Sequence, residues 1–359
     1  MSFPFLQPYA GLSNSLQTAQ AAGGPGGAVG GWVELARTTL GSSQDEIDVT
    51  SLPDKRYYMV LMDLHGASGS PEVRMDFNND TGTNYATRGA IDGGADFTDV
   101  SKTSMELNGA NNNDDRFTFS YIANLASKEK LMISQHMANN GAGAANAPDL
   151  RTETVNKWVN TSNSISSIRP FFLSGRTYGS GSECVVLAYD PDDNHTSNFW
   201  EELASVDLSG GAADSIGSGT FTSKKYLWVQ CFTNATGGNN DHKTTVNSDT
   251  SSNYAKRTST NGAADSTPTS QANWDLTGTH NVSTFINMFI INNASNEKLM
   301  ITHTNTVDTA GAGTAPKRTE TVGKWANTSN QINEITFTNA AARTGQYGTN
   351  SILKVWGAD

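Results

Sequence analysis

One line of this chain is written twice, and that repetition constrains the fold more than any other feature. Lys128 to Ser134 reads KEKLMIS, and Asn296 to Thr302 reads NEKLMIT. The match extends in both directions at an offset of about 168 residues. Asn78 to Arg88 (NNDTGTNYATR) answers Asn247 to Arg257 (NSDTSSNYAKR). Arg151 to Val155 and Arg318 to Val322 share RTETV, and a Lys-Trp pair and NTSN follow both times. The front ends, GWVELARTTL from Gly31 and FWEELASVDL from Phe199, also agree, and the tails agree more loosely. A unit this long is a domain, not a solenoid repeat of about 20–50 residues. The expected layout is an arm over 1–30, one copy over 31–190, a polar linker over 191–198 and a second copy over 199–359.

Within each copy, short apolar runs alternate with turn clusters rich in Gly, Asn and Asp. Tyr57 to Leu64 (YYMVLMDL), Phe117 to Ile122, Tyr226 to Thr233 and Phe285 to Ile291 read as buried strands. Long helical periodicity is missing. Charged residues make up 16% of the chain, against roughly 25% in an average globular protein, with Asn, Ser, Thr and Gly in their place. Seven Trp and fourteen Phe supply material for packed cores and argue against disorder. The fold class this predicts is all-β: two tandem repeats of a jelly-roll-like β-sandwich preceded by an extended N-terminal arm.

The arm matches neither copy. It carries Phe3, Phe5, Leu6, Tyr9, Leu12 and Leu16, then a Gly-rich hinge before Gly31. Aromatic side chains are costly to leave in water, so these six residues are candidates for anchoring the chain to a partner.

Catalytic signatures are scarce. The six histidines, His65, His136, His195, His242, His280 and His303, form no H-x-x-x-H or H-x-H pair. No nucleophile elbow, phosphate loop or dinucleotide fingerprint stands at a strand–helix junction. We therefore assign no catalytic residue, no metal ligand and no cofactor, and expect a non-enzyme. Asp76 to Asp80 alternates oxygen ligands in a calcium-like way, but Thr245 replaces Asp76 in the second copy and Asx turns explain the run equally well. Trp158 and Trp325 stand in strand-like lines and read either as core or as platforms stacking on a glycan. Tyr85, Tyr254, Arg88 and Arg257 carry the same ambiguity.

The formal net charge of −11 lacks the basic footprint of a nucleic-acid binder. Cys184 and Cys231 are too few for a disulfide framework and read as buried thiols. The start has neither the basic nor the long apolar region of a secretory signal, and no run of about eighteen apolar residues suggests membrane insertion. Synthesis in the cytoplasm is the expectation.

The lines N-x-D-x-G-x-N-Y-A (Asn78 to Ala86), K-W-x-N-T-S (Lys157 to Ser162 and Lys324 to Ser329) and the terminal V-x-G-x-D (Val355 to Asp359) resemble a domain of tailed-bacteriophage virion structural proteins. The first copy departs at its end, where Leu187-Ala188-Tyr189-Asp190 lacks the glycine. The resemblance covers both repeats and implies a tail fibre, head fibre or capsid decoration protein located in the virion. It implies capsid or tail proteins as partners and a homo-oligomer such as a trimer, with a host-surface glycan as a further partner for a fibre. It carries over no active-site residue. A glycan-binding receptor module and an extracellular filament subunit are the alternatives.

Overall fold

The computed structural model describes residues 31–66, 72–108, 115–139, 141–173, 175–191, 193, 197–234, 242–277, 283–307, 311–339 and 347–359. The first half contains β1 (Val33–Thr39), β2 (Tyr57–Leu64), β3 (Val73–Phe77), β4 (Tyr85–Ile91), β5 (Phe97–Lys102), β6 (Met105–Glu106), β7 (Asp115–Ala123), β8 (Lys130–Asn139), β9 (Leu150–Trp158), β10 (Ile168–Phe172) and β11 (Glu183–Tyr189). The second contains β12 (Glu201–Asp207), β13 (Ser215–Gly217), β14 (Tyr226–Thr233), β15 (His242–Val246), β16 (Tyr254–Thr260), β17 (Trp274–Asp275), β18 (Thr284–Ile291), β19 (Lys298–Thr306), β20 (Lys317–Trp325), β21 (Ile335–Asn339) and β22 (Ile352–Ala358). The chain is all-β, and every strand pairing is antiparallel.

Each half is a sandwich of one large and one small sheet. The large sheets run β1-β11-β2-β7-β8-β9-β4-β5 and β12-β22-β14-β18-β19-β20-β16. The small sheets run β10-β3-β6 and β13-β21-β15-β17. Apart from β5 in the first half and β13 in the second, which have no counterpart strand among the described residues, the orders correspond, including a bulge at the same place in each front strand, Glu34/Ala36 and Glu202/Ala204. The Asn-rich turns have a backbone reason. Asn78 and Asn247 sit at φ 55° and 51°, and Asp92 and Asn261 at φ 54°, in the left-handed region that Asn and Asp tolerate best.

Strand alternation sends one row of side chains into each sandwich. Val60, Met62, Phe77, Met132 and Trp158 fill the first core; Val229, Ile286, Met300, Trp325 and Phe337 fill the second. The opposite faces of the large sheets do not all meet water. Met59, Leu61, Phe117, Phe119 and Met137 of the first half pack on Trp228, Phe289, Ile291, Leu299 and Ile301 of the second. The molecule is thus four layers, small–large–large–small. Both faces of these large sheets carry apolar residues, and stacking removes the second face from water.

Candidate functional site

The repeated line builds one end of each sandwich. Asp80 turns the chain, accepting from the Gly82 backbone N–H at 2.8 Å and from Asn84 Nδ2 at 2.9 Å. Its carboxylate also accepts from Trp158 Nε1 at 2.8 Å. The Tyr85 hydroxyl accepts from the Phe77 N–H at 3.0 Å and donates to the Phe77 carbonyl at 3.1 Å. Lys130 is buried, caps the carbonyls of Ala126, Lys128 and Asn160, and lies 5.5 Å from the Trp158 ring centroid. The second half repeats this with Asp249, Asn253, Tyr254, Lys298, Asn327 and Trp325. Burial, which removes water from its ammonium, pulls Lys298 down to about 8.

Several sequence readings are settled by this end-cap. Trp158 and Trp325 are each only 1% exposed, so neither ring face is open to a sugar, and the glycan reading of these two residues is corrected to core. Tyr85 and Tyr254 are core as well. Asp76 is buried against Arg169, whose Nη1 also reaches Glu46 at 3.0 Å, so an arginine fills the calcium-like run. Cys184 and Cys231 are buried free thiols. The arm residues Phe3, Phe5, Leu6, Tyr9, Leu12 and Leu16 lie outside the described residues, as do His195 and His280.

What the sequence reading missed lies between the two large sheets. At the centre, the Phe119 and Phe289 ring centroids are 4.5 Å apart, and Trp228 stacks on Phe289 at 5.5 Å. Around this apolar patch stand three polar clusters. Arg151, almost wholly buried, donates to Asp265 at 2.8 and 3.2 Å, to Glu320 at 3.1 Å and to Glu153 at 2.5 Å. Glu183 accepts from the Tyr226 hydroxyl at 2.7 Å and from Lys225 Nζ at 3.0 Å, and Lys225 also reaches Asp63 at 3.1 Å. Glu297 accepts from Asn139 Nδ2 at 2.9 Å and pairs with the fully buried Lys324 at 3.1 Å. Burial pushes Glu183 up, but donors from Thr39, Tyr226 and Lys225 outweigh it and hold the carboxyl below its ordinary range. For His65 the signs reverse: burial lowers it, but Asp115 at 2.8 Å and Asp63 outweigh burial and raise it above its ordinary value.

Glu153, His303 and Glu320 bring three ligand-type atoms within 4.8 Å of one another. Arg151 already donates to both carboxylates, so a metal ion there would meet a fixed positive charge. Burial would push both carboxyls up. His303 and Arg151 hold Glu153 low instead, while burial and the Glu153 charge keep Glu320 high.

The two large sheets close tightly on one side and part on the other. A cleft of about 300 Å³ opens between Ile133, Val155 and Arg88 of the first half and His303 and Arg318 of the second. It runs on into a groove of about 460 Å³ on the first large sheet, floored by Val100, Leu131, Ile133 and Val155 and edged by Arg88 and Lys157. No catalytic nucleophile–base pair lines either space among the described residues.

No protein-family model matches the chain. No curated protein matches it. Among solved structures, the LG1–3 region of the laminin alpha2 chain aligns at 8% identity and TM-score 0.20, over 89% of this chain and 64% of that one. Domains LG4–5 of the mouse laminin alpha1 chain align at 10% identity and TM-score 0.17, over 92% and 84%. The attachment invasion locus protein Ail of Yersinia pestis aligns at 6% identity and TM-score 0.13, over 76% and 97%. Likenesses this slight carry no argument about what this chain does.

Proposed function

We propose that this chain is a structural subunit of a larger particle, in the phage reading an appendage or capsid decoration protein attached through its N-terminal arm. The observation that supports this best is the buried Arg151–Asp265–Glu320 network beside the Phe119–Phe289 contact. Buried ion pairs seldom add net stability, but a misplaced one is costly, so they hold two surfaces in a single register. A four-layer block locked in this way suits load-bearing and packing. The resemblance of the repeated lines to virion proteins points in the same direction, and capsid or tail proteins are then the partners. Mass spectrometry of purified particles tests the reading: the chain should be present at a fixed copy number per particle. Removing residues 1–30 should leave both sandwiches folded and abolish incorporation. Recovery of the chain only as a free protein, absent from particles, would sink the proposal.

A further inference from the structure

Gln135 and His303 hold equivalent places in the two halves, and they touch: Gln135 Nε2 donates to His303 Nδ1 at 2.8 Å. Equivalent residues that meet across an interface lie on a twofold axis between the two halves, and a twofold makes every other contact twice. On one side of this axis the contacts are made. Asp63 holds Lys225, Glu183 holds Tyr226, Asn139 holds Glu297, and Arg151 holds Asp265 and Glu320. Their mates on the other side would set Phe232 against Arg56, Ile352 against Tyr57, Val307 against Glu129, and Arg318 against Asp96 and Glu153. There the sheets part around the cleft instead. Arg318 turns back onto Glu320 at 2.7 Å, and Asp96 holds Arg88 at 3.4 Å.

Exposure marks the same side as unfinished. Twelve large hydrophobic side chains are exposed among the described residues, and eight of them lie here on the outward faces of the large sheets. Tyr57, Leu131, Ile133 and Val155 form the lip of the first half. Phe232, Phe285, Val307 and Ile352 form the lip of the second, with Phe232 paired directly to both Phe285 and Ile352. All eight equivalents on the made side are buried, from Tyr226 and Leu299 to Phe117 and Glu183.

We propose that this side closes as well: the two halves swing together about their made side until the second lip seats on the first. Arg318 keeps Glu320 and gains Asp96 and Glu153, as Arg151 holds Glu153, Asp265 and Glu320. The chemistry of the lips suits this. Where the made side uses Asp63, Glu183 and Asn139, the open lip carries Phe232, Ile352 and Val307, so closure removes apolar surface from water without burying a carboxylate at those places. Glu129 on the facing lip already has Lys157 at 3.1 Å, as Glu297 has Lys324 at 3.1 Å, so closure leaves neither charge unpaired. The arrangement described above is then the open form of a hinged pair, and closing it removes both the cleft and the groove. The inference does not rest on the particle reading, since both lips belong to one chain.

Crosslinking in the full-length chain tests it, with a bismaleimide too short to span more than about 10 Å, the spacing of packed sheets. The native thiols are fully buried and do not compete. Leu131→Cys is paired with Val307→Cys, and Tyr57→Cys with Ile352→Cys. Leu131→Cys with Thr220→Cys, at an exposed site on the second half, is the control. Both lip pairs should crosslink within one chain at least about tenfold faster than the control. Adding Ile133→Glu charges the seat, and should slow the Tyr57→Cys/Ile352→Cys pair about tenfold while leaving the control unchanged. Lip and control pairs reacting at equal rates would overturn the proposal, as would a lip rate that ignores Ile133→Glu. Crosslinks formed only between chains would also overturn it, because a second copy would then cover the lips.

Discussion

In β8, Leu131 is 56% and Ile133 58% exposed; in β19, Leu299 is 2% and Ile301 3% exposed. The letters are the same, and the inward residues behave alike: Lys130 and Lys298, and Met132 and Met300, are buried in both halves. The two strands therefore differ only on the face that points away from their own sandwich. That face is covered by whatever the neighbouring sheet offers. Over β19 the first half presents Phe117, Phe119 and Met137. The corresponding positions of the second half are Phe285, Asn287 and Asn305, with an amide in place of an apolar side chain at two of the three. The inner faces of the two sandwiches match where the letters match, and the burial of their outer faces differs where the outward residues facing them differ.

The largest test of that contrast is a charge on each strand. Ile301→Glu should destabilise by roughly 5 kcal/mol, because it buries an unpaired carboxylate, while Ile133→Glu should cost about 0.5 kcal/mol or less. Urea unfolding of both variants measures it, and equal costs would break the comparison. Where the halves agree, their variants should agree too. Trp158→Ala and Trp325→Ala should each lose about 4 kcal/mol as core cavities, in the same assay. A smaller difference separates the equivalent Arg151 and Arg318, whose side chains are 5% and 61% exposed. Arg151→Ala should cost about 3 kcal/mol by stranding Asp265 and Glu320, and Arg318→Ala about 0.5 kcal/mol or less.

The smallest effect is a pH dependence present on one side only. His65 sits with Asp115 and Asn296 at the interface, and its counterpart in the second half is the non-titrating Asn234. Burial lowers His65, but the Asp115 and Asp63 contacts raise it above its ordinary 6.5. The folded state therefore holds a proton that the unfolded chain releases sooner. The stabilisation is complete below the unfolded value and fades as pH rises through the folded one. Between about pH 6 and about pH 8 the melting temperature should fall in the parent relative to His65→Gln. Parallel melting curves would remove His65 from the account.

Most of each sandwich was legible in the sequence. The strand runs, the Asn-rich turns and the correspondence of the two copies follow from period-two alternation and turn chemistry, which act over a few residues. The end-cap was visible as a repeated line, yet its meaning was not. Nothing in the letters says that Asp80 receives the Trp158 indole N–H, since the two residues meet only after β9 returns beside β4. The interface left a faint trace. YYMVLMDL and YLWVQCFT are apolar on both faces, which a sandwich with one face in water does not need. That trace does not name the partner face.

By itself, then, the sequence determined an all-β chain, strand runs and Asn-rich turns that recur at an offset of about 168 residues, and the uncharged character of its first thirty residues. Only the tertiary structure decided that the large sheets stack, that Arg151 is buried while Arg318 is not, and that a groove opens over Leu131, Ile133 and Val155. The physical reason is that alternation along a strand is local, whereas burial of an outward face depends on residues more than a hundred positions away, brought opposite it by the packing of one sheet on another.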